Sequence, residues 1–126
     1  MAQGLTLDAG ALIAFEKRDR TLQGMIALAV QRGARLTVPA VVLAQVWRGN
    51  QAPLSRLLAG CIVEVLDGER AQSIGSLLRS ARRADVVDGA VVESAARRGD
   101  AIVTSDPDDI GHLVDALGAP LRVLVV

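Results

Sequence analysis

The chain has 126 residues, 14 basic against 14 acidic, a formal net charge of zero and 51% hydrophobic residues. That length fits a single domain, residues 1–126, with enough apolar material for a real core. The charge balance argues against a dedicated DNA-binding domain, which normally carries a basic surplus, but it leaves RNA open because charge can be segregated. Taken in chain order, Gly4 to Asp8 reads as a short strand ending on a carboxylate. Ala11 to Arg18 is helical, and Arg20 to Arg32 continues as a helix with apolar residues at helical spacing, closed by Gly33. Arg35 to Val38 is a second strand. Pro39 is placed just inside the next helix, where its missing N–H costs nothing, and that helix runs to Arg48 before Gly49-Asn50. Pro53 opens a short helix to Leu58. Cys61 to Leu66 alternates as a strand, and Glu69 to Arg83 and Val86 to Arg98 are helical, the latter ended by Gly99. Ala101 to Thr104 is a buried-type strand, Pro107 to Leu117 a helix, and Leu121 to Val126 a closing strand.

Strands separated by helical crossovers predict an α/β fold with helices on both faces of a mostly parallel sheet of about five strands. In such sheets the functional crevice lies beyond the carboxyl ends of the strands. One Phe (Phe15), one Trp (Trp47) and no Tyr leave no aromatic platform for stacking bases. Three basic clusters, Lys17 with Arg18 and Arg20, Arg79 with Arg82 and Arg83, and Arg97 with Arg98, each read first as a solvated helix face. The single Cys61 excludes an intrachain disulfide and fits a reducing compartment. Met1 to Leu7 has no basic stretch before an apolar run, so no signal peptide is expected there. The longest apolar stretch, Leu36 to Trp47, is interrupted by Pro39 and Gln45 and is too short to span a bilayer. The expectation is a soluble, cytoplasmic protein.

The chemistry-bearing pattern is acidic. Asp8 follows the apolar Leu5-Thr6-Leu7, and Asp106 follows Ile102-Val103-Thr104-Ser105, so parallel strands would bring both carboxylates to one edge of the sheet. Asp88 falls in the first turn of the helix preceding the Asp106 strand. Each acid has a plain structural explanation. Asp8 caps a helix start; Asp106-Pro107-Asp108-Asp109 is a helix-opening signature in its own right; Asp85 caps the helix carrying Asp88. Convergence of several acids is harder to explain by capping, because two carboxylates about 4 Å apart repel by roughly 4 kcal/mol at an effective dielectric near 20. Such a cluster must be held apart, protonated or neutralised by a cation. His112 and Cys61 each stand alone and offer no softer site, so Mg²⁺ or Mn²⁺ is the expected ion.

Leu7-Asp8-Ala9-Gly10-Ala11-Leu12-Ile13-Ala14 resembles the opening motif of PIN domains of the VapC toxin family. Asp85-Val86-Val87-Asp88-Gly89-Ala90-Val91-Val92 resembles their third acidic motif, and Thr104-Ser105-Asp106-Pro107-Asp108-Asp109-Ile110 the fourth. Element order and length agree over essentially the whole chain. The resemblance implies a three-layer α/β/α sandwich and a metal-dependent endoribonuclease, usually homodimeric, that cuts structured RNA such as tRNA or rRNA. It also implies silencing by a cognate VapB-type antitoxin. Asp8, Asp88 and Asp106 would then be catalytic, metal-holding acids, with Asp109, Thr104 and Ser105 as neighbours. One departure stands out: the family's second acid, a Glu, is replaced by Gln45 in Val38-Pro39-Ala40-Val41-Val42-Leu43-Ala44-Gln45-Val46-Trp47-Arg48. An amide there brings no charge, which would weaken metal binding and activity, and it favours an alternative reading as a catalytically silent PIN-like module acting through its antitoxin. A phosphoryl-transfer protein with a nucleophilic Asp8 is disfavoured, since Asp8-Ala9-Gly10 lacks a second acid two residues on.

Overall fold

A computed structural model describes residues 2–126; Met1, where the stretch tested above for a signal peptide begins, lies outside the described residues. Five strands and seven helices alternate: β1 Leu5–Leu7, α1 Ala9–Glu16, α2 Arg20–Gln31, β2 Leu36–Pro39, α3 Ala40–Val46, α4 Ala52–Ala59, β3 Ile62–Glu64, α5 Gly68–Ala81, α6 Val86–Arg98, β4 Ala101–Thr104, α7 Pro107–Leu117 and β5 Val123–Val125. The sheet order is β3-β2-β1-β4-β5, and all four strand pairings are parallel, so the sheet is wholly rather than mostly parallel. Helices α1 to α4 pack among themselves, and α5, α6 and α7 form a second group, with α6 laid against β1, β2 and β4. The central strands β1, β2 and β4 are buried along their whole length, as expected for strands covered on both faces.

Local chemistry sets most of the element starts. Five of the seven helices open on an aspartate whose side chain accepts a backbone N–H of the first turn: Asp8, Asp19, Asp67, Asp85 and Asp106. α6 and α7 end on Gly99 and Gly118 in the left-handed region, at φ 73° and 76°, where glycine carries no Cβ penalty. Several boundaries shift by one or two residues from the sequence reading, and three of the shifts have a clear physical reason. α1 begins at Ala9, not Ala11, because Asp8 leaves the strand and caps it directly. Pro39 is the last residue of β2, in register with Glu64, instead of the first of a helix. Its fixed φ suits either position, and only the partner strand decides. β3 is cut to Ile62–Glu64 at an open edge of the sheet, where Val65 and Leu66 remain exposed. No helix is long and apolar enough to cross a membrane among the described residues.

The chain reverses its direction across the sheet between β1 and β4. From β1 it builds outward through β2 to β3, then returns to set β4 on the other side of β1. A parallel sheet opens a crevice at such a switch point, at the carboxyl ends of the two strands. The residues after β1 and β4 are Asp8 and the Ser105-Asp106 pair.

Candidate metal centre

Asp8 is almost fully buried, only 4% exposed, at the N-terminus of α1. Its Oδ1 accepts the Ala11 N–H at 2.8 Å. Burial pushes its pKa up; hydrogen bonds from the Thr104 hydroxyl and from the Ala11 and Ser105 amides pull it back, and the charge of Asp106 raises it again. The Thr104 oxygen meanwhile accepts the Asp106 N–H at 2.8 Å. Thr104, the last residue of β4, thus holds the start of the Asp106 loop through its side-chain oxygen. Gly10 lets the β1 and β4 loops approach: a Cβ there would sit 1.8 Å from Ser105 Oγ and 2.7 Å from Ser105 Cβ. The Gly10 of the opening motif is thus a packing requirement between the β1 and β4 loops, a role the motif alone did not reveal.

Asp88, Asp106 and Asp109 each turn a carboxylate oxygen to a common point, with the three oxygens within 4.8 Å of one another. Asp88 is half-buried, and the other two are exposed. Burial, followed by the charges of Asp85, Asp106, Asp109 and Asp8, pushes the Asp88 pKa up to about 6. Asp109 is raised as well, first by its hydrogen bond and charge coupling to Asp106. The structure thus gathers Asp88 and Asp106 as the sequence reading expected and adds Asp109 to the closest group. Asp8 stands behind them as a buried acid within their electrostatic field.

Capping and clustering coexist. Asp85 Oδ1 accepts the Asp88 N–H at 3.0 Å and Asp106 Oδ1 accepts the Asp109 N–H at 3.4 Å. Each cap uses one oxygen of a carboxylate that has two, and the other remains available. Three hard, anionic oxygens with no cation closing on them suit a divalent ion that prefers oxygen ligands and keeps part of its own hydration. Cys61 offers no competing site, since burial pushes its thiol up to about 11.

Gln45 lies on the exposed side of α3 and lines a shallow hollow with Ile13, Glu16, Lys17, Val46, Arg48 and Gln51. None of the clustered aspartates lines that hollow. Ser105 is exposed beside Gly10. A second polar cluster, unforeseen in sequence, lies at the far end of α6. There Arg98 donates to Asp100 Oδ2 at 3.0 Å, to Thr6 Oγ1 at 2.9 Å and to Ser94 Oγ at 2.7 Å, and it also pairs with Glu64. Arg97 pairs with Glu64 and Glu93. The expectation that Arg97 and Arg98 form a solvated helix face is therefore corrected, because both are drawn into ion pairs that tie α6 to the edge strand β3.

No family model matches the chain, and no curated protein matches it. Solved structures do. The chain is 14% identical to a chain of VapBC2 from Rickettsia felis bound to a promoter DNA fragment, over 97% of this chain and 98% of that one, with a TM-score of 0.75. It is 16% identical to a chain of DNA-bound VapBC from Salmonella typhimurium, over 97% of each chain, with a TM-score of 0.65. Against FitAcB from Neisseria gonorrhoeae the identity is 14%, the coverage 95% and 96%, and the TM-score 0.64. At these identities the likeness shows the fold alone: the chain shares its α/β/α architecture, over nearly its whole length, with chains of these VapBC and FitAcB structures.

Proposed function

We propose that this chain is the toxin of a type II toxin–antitoxin pair and works as a divalent-metal-dependent endoribonuclease on structured RNA such as tRNA or rRNA. The observation that carries the reading is the uncompensated carboxylate group of Asp88, Asp106 and Asp109 at the sheet's switch point, with buried Asp8 behind it. Asp88, Asp106 and Asp109 would hold Mg²⁺ or Mn²⁺. When bound, such an ion supplies Lewis-acid stabilisation of the charge that develops on a phosphodiester under hydrolysis. The chain's own part is positioning. Thr104 holds the Asp106 backbone, Asp85 holds the first turn of α6, and Asp8 would add a buried negative charge that draws a dication inward. The likeness to VapBC and FitAcB supports a VapB-type antitoxin as partner; a homodimer as working unit and a cytoplasmic setting belong to the same proposal.

Asp8→Asn tests the site. Asparagine is as good a cap as aspartate, so the fold should survive with a melting temperature at or above the parent's, while Mn²⁺ binding by calorimetry weakens and RNA cleavage disappears. Unfolding with unchanged Mn²⁺ affinity would instead reduce Asp8 to a structural cap. Gln45 favours a second reading, a catalytically silent PIN-like module that acts only by binding its antitoxin, because an uncharged amide stands where the resembled motif has a carboxylate. Tight antitoxin binding by a parent protein that neither binds Mn²⁺ nor cuts tRNA would establish that reading and defeat the first.

A further inference from the structure

The corner between α5 and α6 carries Arg79, Arg82 and Arg83, a basic cluster that the chemistry above leaves unused. We propose that Arg83 holds a backbone phosphate of the RNA strand beside the scissile one, as a substrate-positioning residue; this rests on the ribonuclease reading above. Placement comes first. α5 ends with Arg82 in the left-handed region, φ 55°, its N–H donating to the Arg79 carbonyl at 3.2 Å, while the Arg83 N–H donates to the Leu78 carbonyl at 3.0 Å. This is a Schellman closure, and it fixes the Arg83 backbone. Asp85 is fixed in turn by its cap on the Asp88 N–H. Arg83 is therefore held between two anchored points, two residues before the aspartate that caps the Asp88 helix.

The acids that follow it, Asp85 and Asp88, open α6. Yet among the described residues Arg83 closes no ion pair, and its guanidinium donates only to the Arg82 carbonyl, at 3.4 Å. It is exposed. An arginine beside several carboxylates that binds none of them has its planar fork free for an anion, and that fork matches a phosphate in two-point contact. The substrate requires such a group. A polyanion entering an acidic mouth is repelled, and a cation at the rim offsets this for the flanking phosphate. Base stacking has little to offer, since Phe15 packs against the core and Trp47 is the one exposed aromatic among the described residues.

The competing role for Arg83 is to neutralise Asp109. Kinetics on the full-length chain separate the two, with Mn²⁺ as the ion and a labelled tRNA mixture as substrate. The parent, Arg83→Gln, Arg83→Lys and Arg56→Gln would be compared over a range of salt concentrations. Arg56 is exposed on α4 and makes no ion pair among the described residues. Arg83→Gln should raise KM about fivefold or more with kcat little changed. It should also flatten the slope of log(kcat/KM) against log salt by about 1. Arg83→Lys should recover most of the KM and the slope, Arg56→Gln should match the parent, and Mn²⁺ affinity without RNA should be no weaker in Arg83→Gln. A parent that cuts tRNA, with KM and salt slope unchanged in Arg83→Gln, overturns the role of Arg83 and leaves the ribonuclease reading standing. A parent that neither cuts nor binds tRNA with Mn²⁺ overturns both.

Discussion

The two ends of α6 handle carboxylates in opposite ways. At its C-terminal end, Glu64, Glu93 and Asp100 meet Arg97 and Arg98, and every acid has a cation within ion-pair distance. Burial pushes Glu64 up, but hydrogen bonds from Arg97 and Ser94 and the charges of Arg98 and Arg97 bring it below its ordinary range. At the N-terminal end, Asp88 joins Asp106 and Asp109 with no such partner and is pushed up to about 6. One helix thus carries a neutralised cluster built for cohesion and a strained one that opposes folding. The chain pairs its carboxylates at one end of the helix and leaves them unpaired at the other, and that contrast is what the proposed metal-binding role would explain.

The largest expected effect comes from making the paired end resemble the open one. Arg98→Ala strips the central partner from Glu64 and Asp100 and should lower stability by about 2–4 kcal/mol, since removing one member of a largely buried pair leaves the other uncompensated. Urea denaturation would measure it. The loss should shrink at low pH as the orphaned carboxylates protonate. An effect below about 0.5 kcal/mol would place this cluster with ordinary surface pairs and erase the contrast between the two ends.

The second expected effect is a pair of opposite pH trends. Asp88 has a folded-state pKa above its unfolded value, so between about 4 and about 6 the folded protein binds more protons than the unfolded. Stability without metal should then fall as pH rises through that window. Glu64 runs the other way: its folded-state pKa is lowered, so its contribution is present above its ordinary range and is lost as pH falls. Asp88→Asn should weaken the first trend, leaving the parts that raised Asp8 and Asp109 contribute, keep the second, and stabilise the metal-free protein at neutral pH by up to about 1 kcal/mol after allowance for a half-exposed group. With Mn²⁺ present the order should reverse, because only the parent gains the ion's binding energy. Thermal melts of parent and Asp88→Asn from pH 4 to 8, with and without Mn²⁺, decide it; a difference between the two that stays constant through pH 4–6 would show that Asp88 is not raised.

What was legible in the sequence follows from how local each signal is. The helix starting at Pro107 and the one ending at Gly99 were readable because caps and left-handed stops act within a few residues. Pro39 was placed on the wrong side of a boundary that only pairing with Glu64 settles. The acidic edge was readable from strands ending in aspartate, but membership of the closest group was not. Asp109 joins it because the first turn of α7 folds back over its own cap, which spacing alone does not announce. The cap-or-site choice posed by the sequence dissolves, since one carboxylate does both. The Arg98 network joins residues as distant as Thr6, Glu64, Ser94 and Asp100, so no local pattern could have shown it.

The smallest expected effect concerns Gln45, where the chain departs from the pattern it resembles. The side chain is exposed, in a hollow that also holds Glu16, Lys17 and Arg48. Gln45→Glu adds one negative charge there. The nearby Lys17 and Arg48 would absorb part of it and Glu16 would oppose it, so the metal-free protein should change by less than about 0.5 kcal/mol, as exposed charges usually do. A dication senses the summed field of the site, and an added charge within about one Debye length, roughly 8–10 Å at moderate salt, still attracts it. The Mn²⁺-induced rise in melting temperature should therefore be slightly larger in Gln45→Glu than in the parent, and tRNA cleavage should rise with it. If the two rises are equal at low salt, where screening is weakest, Gln45 lies outside the field of the acidic group. The second acidic position of the resembled motif would then have no counterpart in the chemistry of this chain.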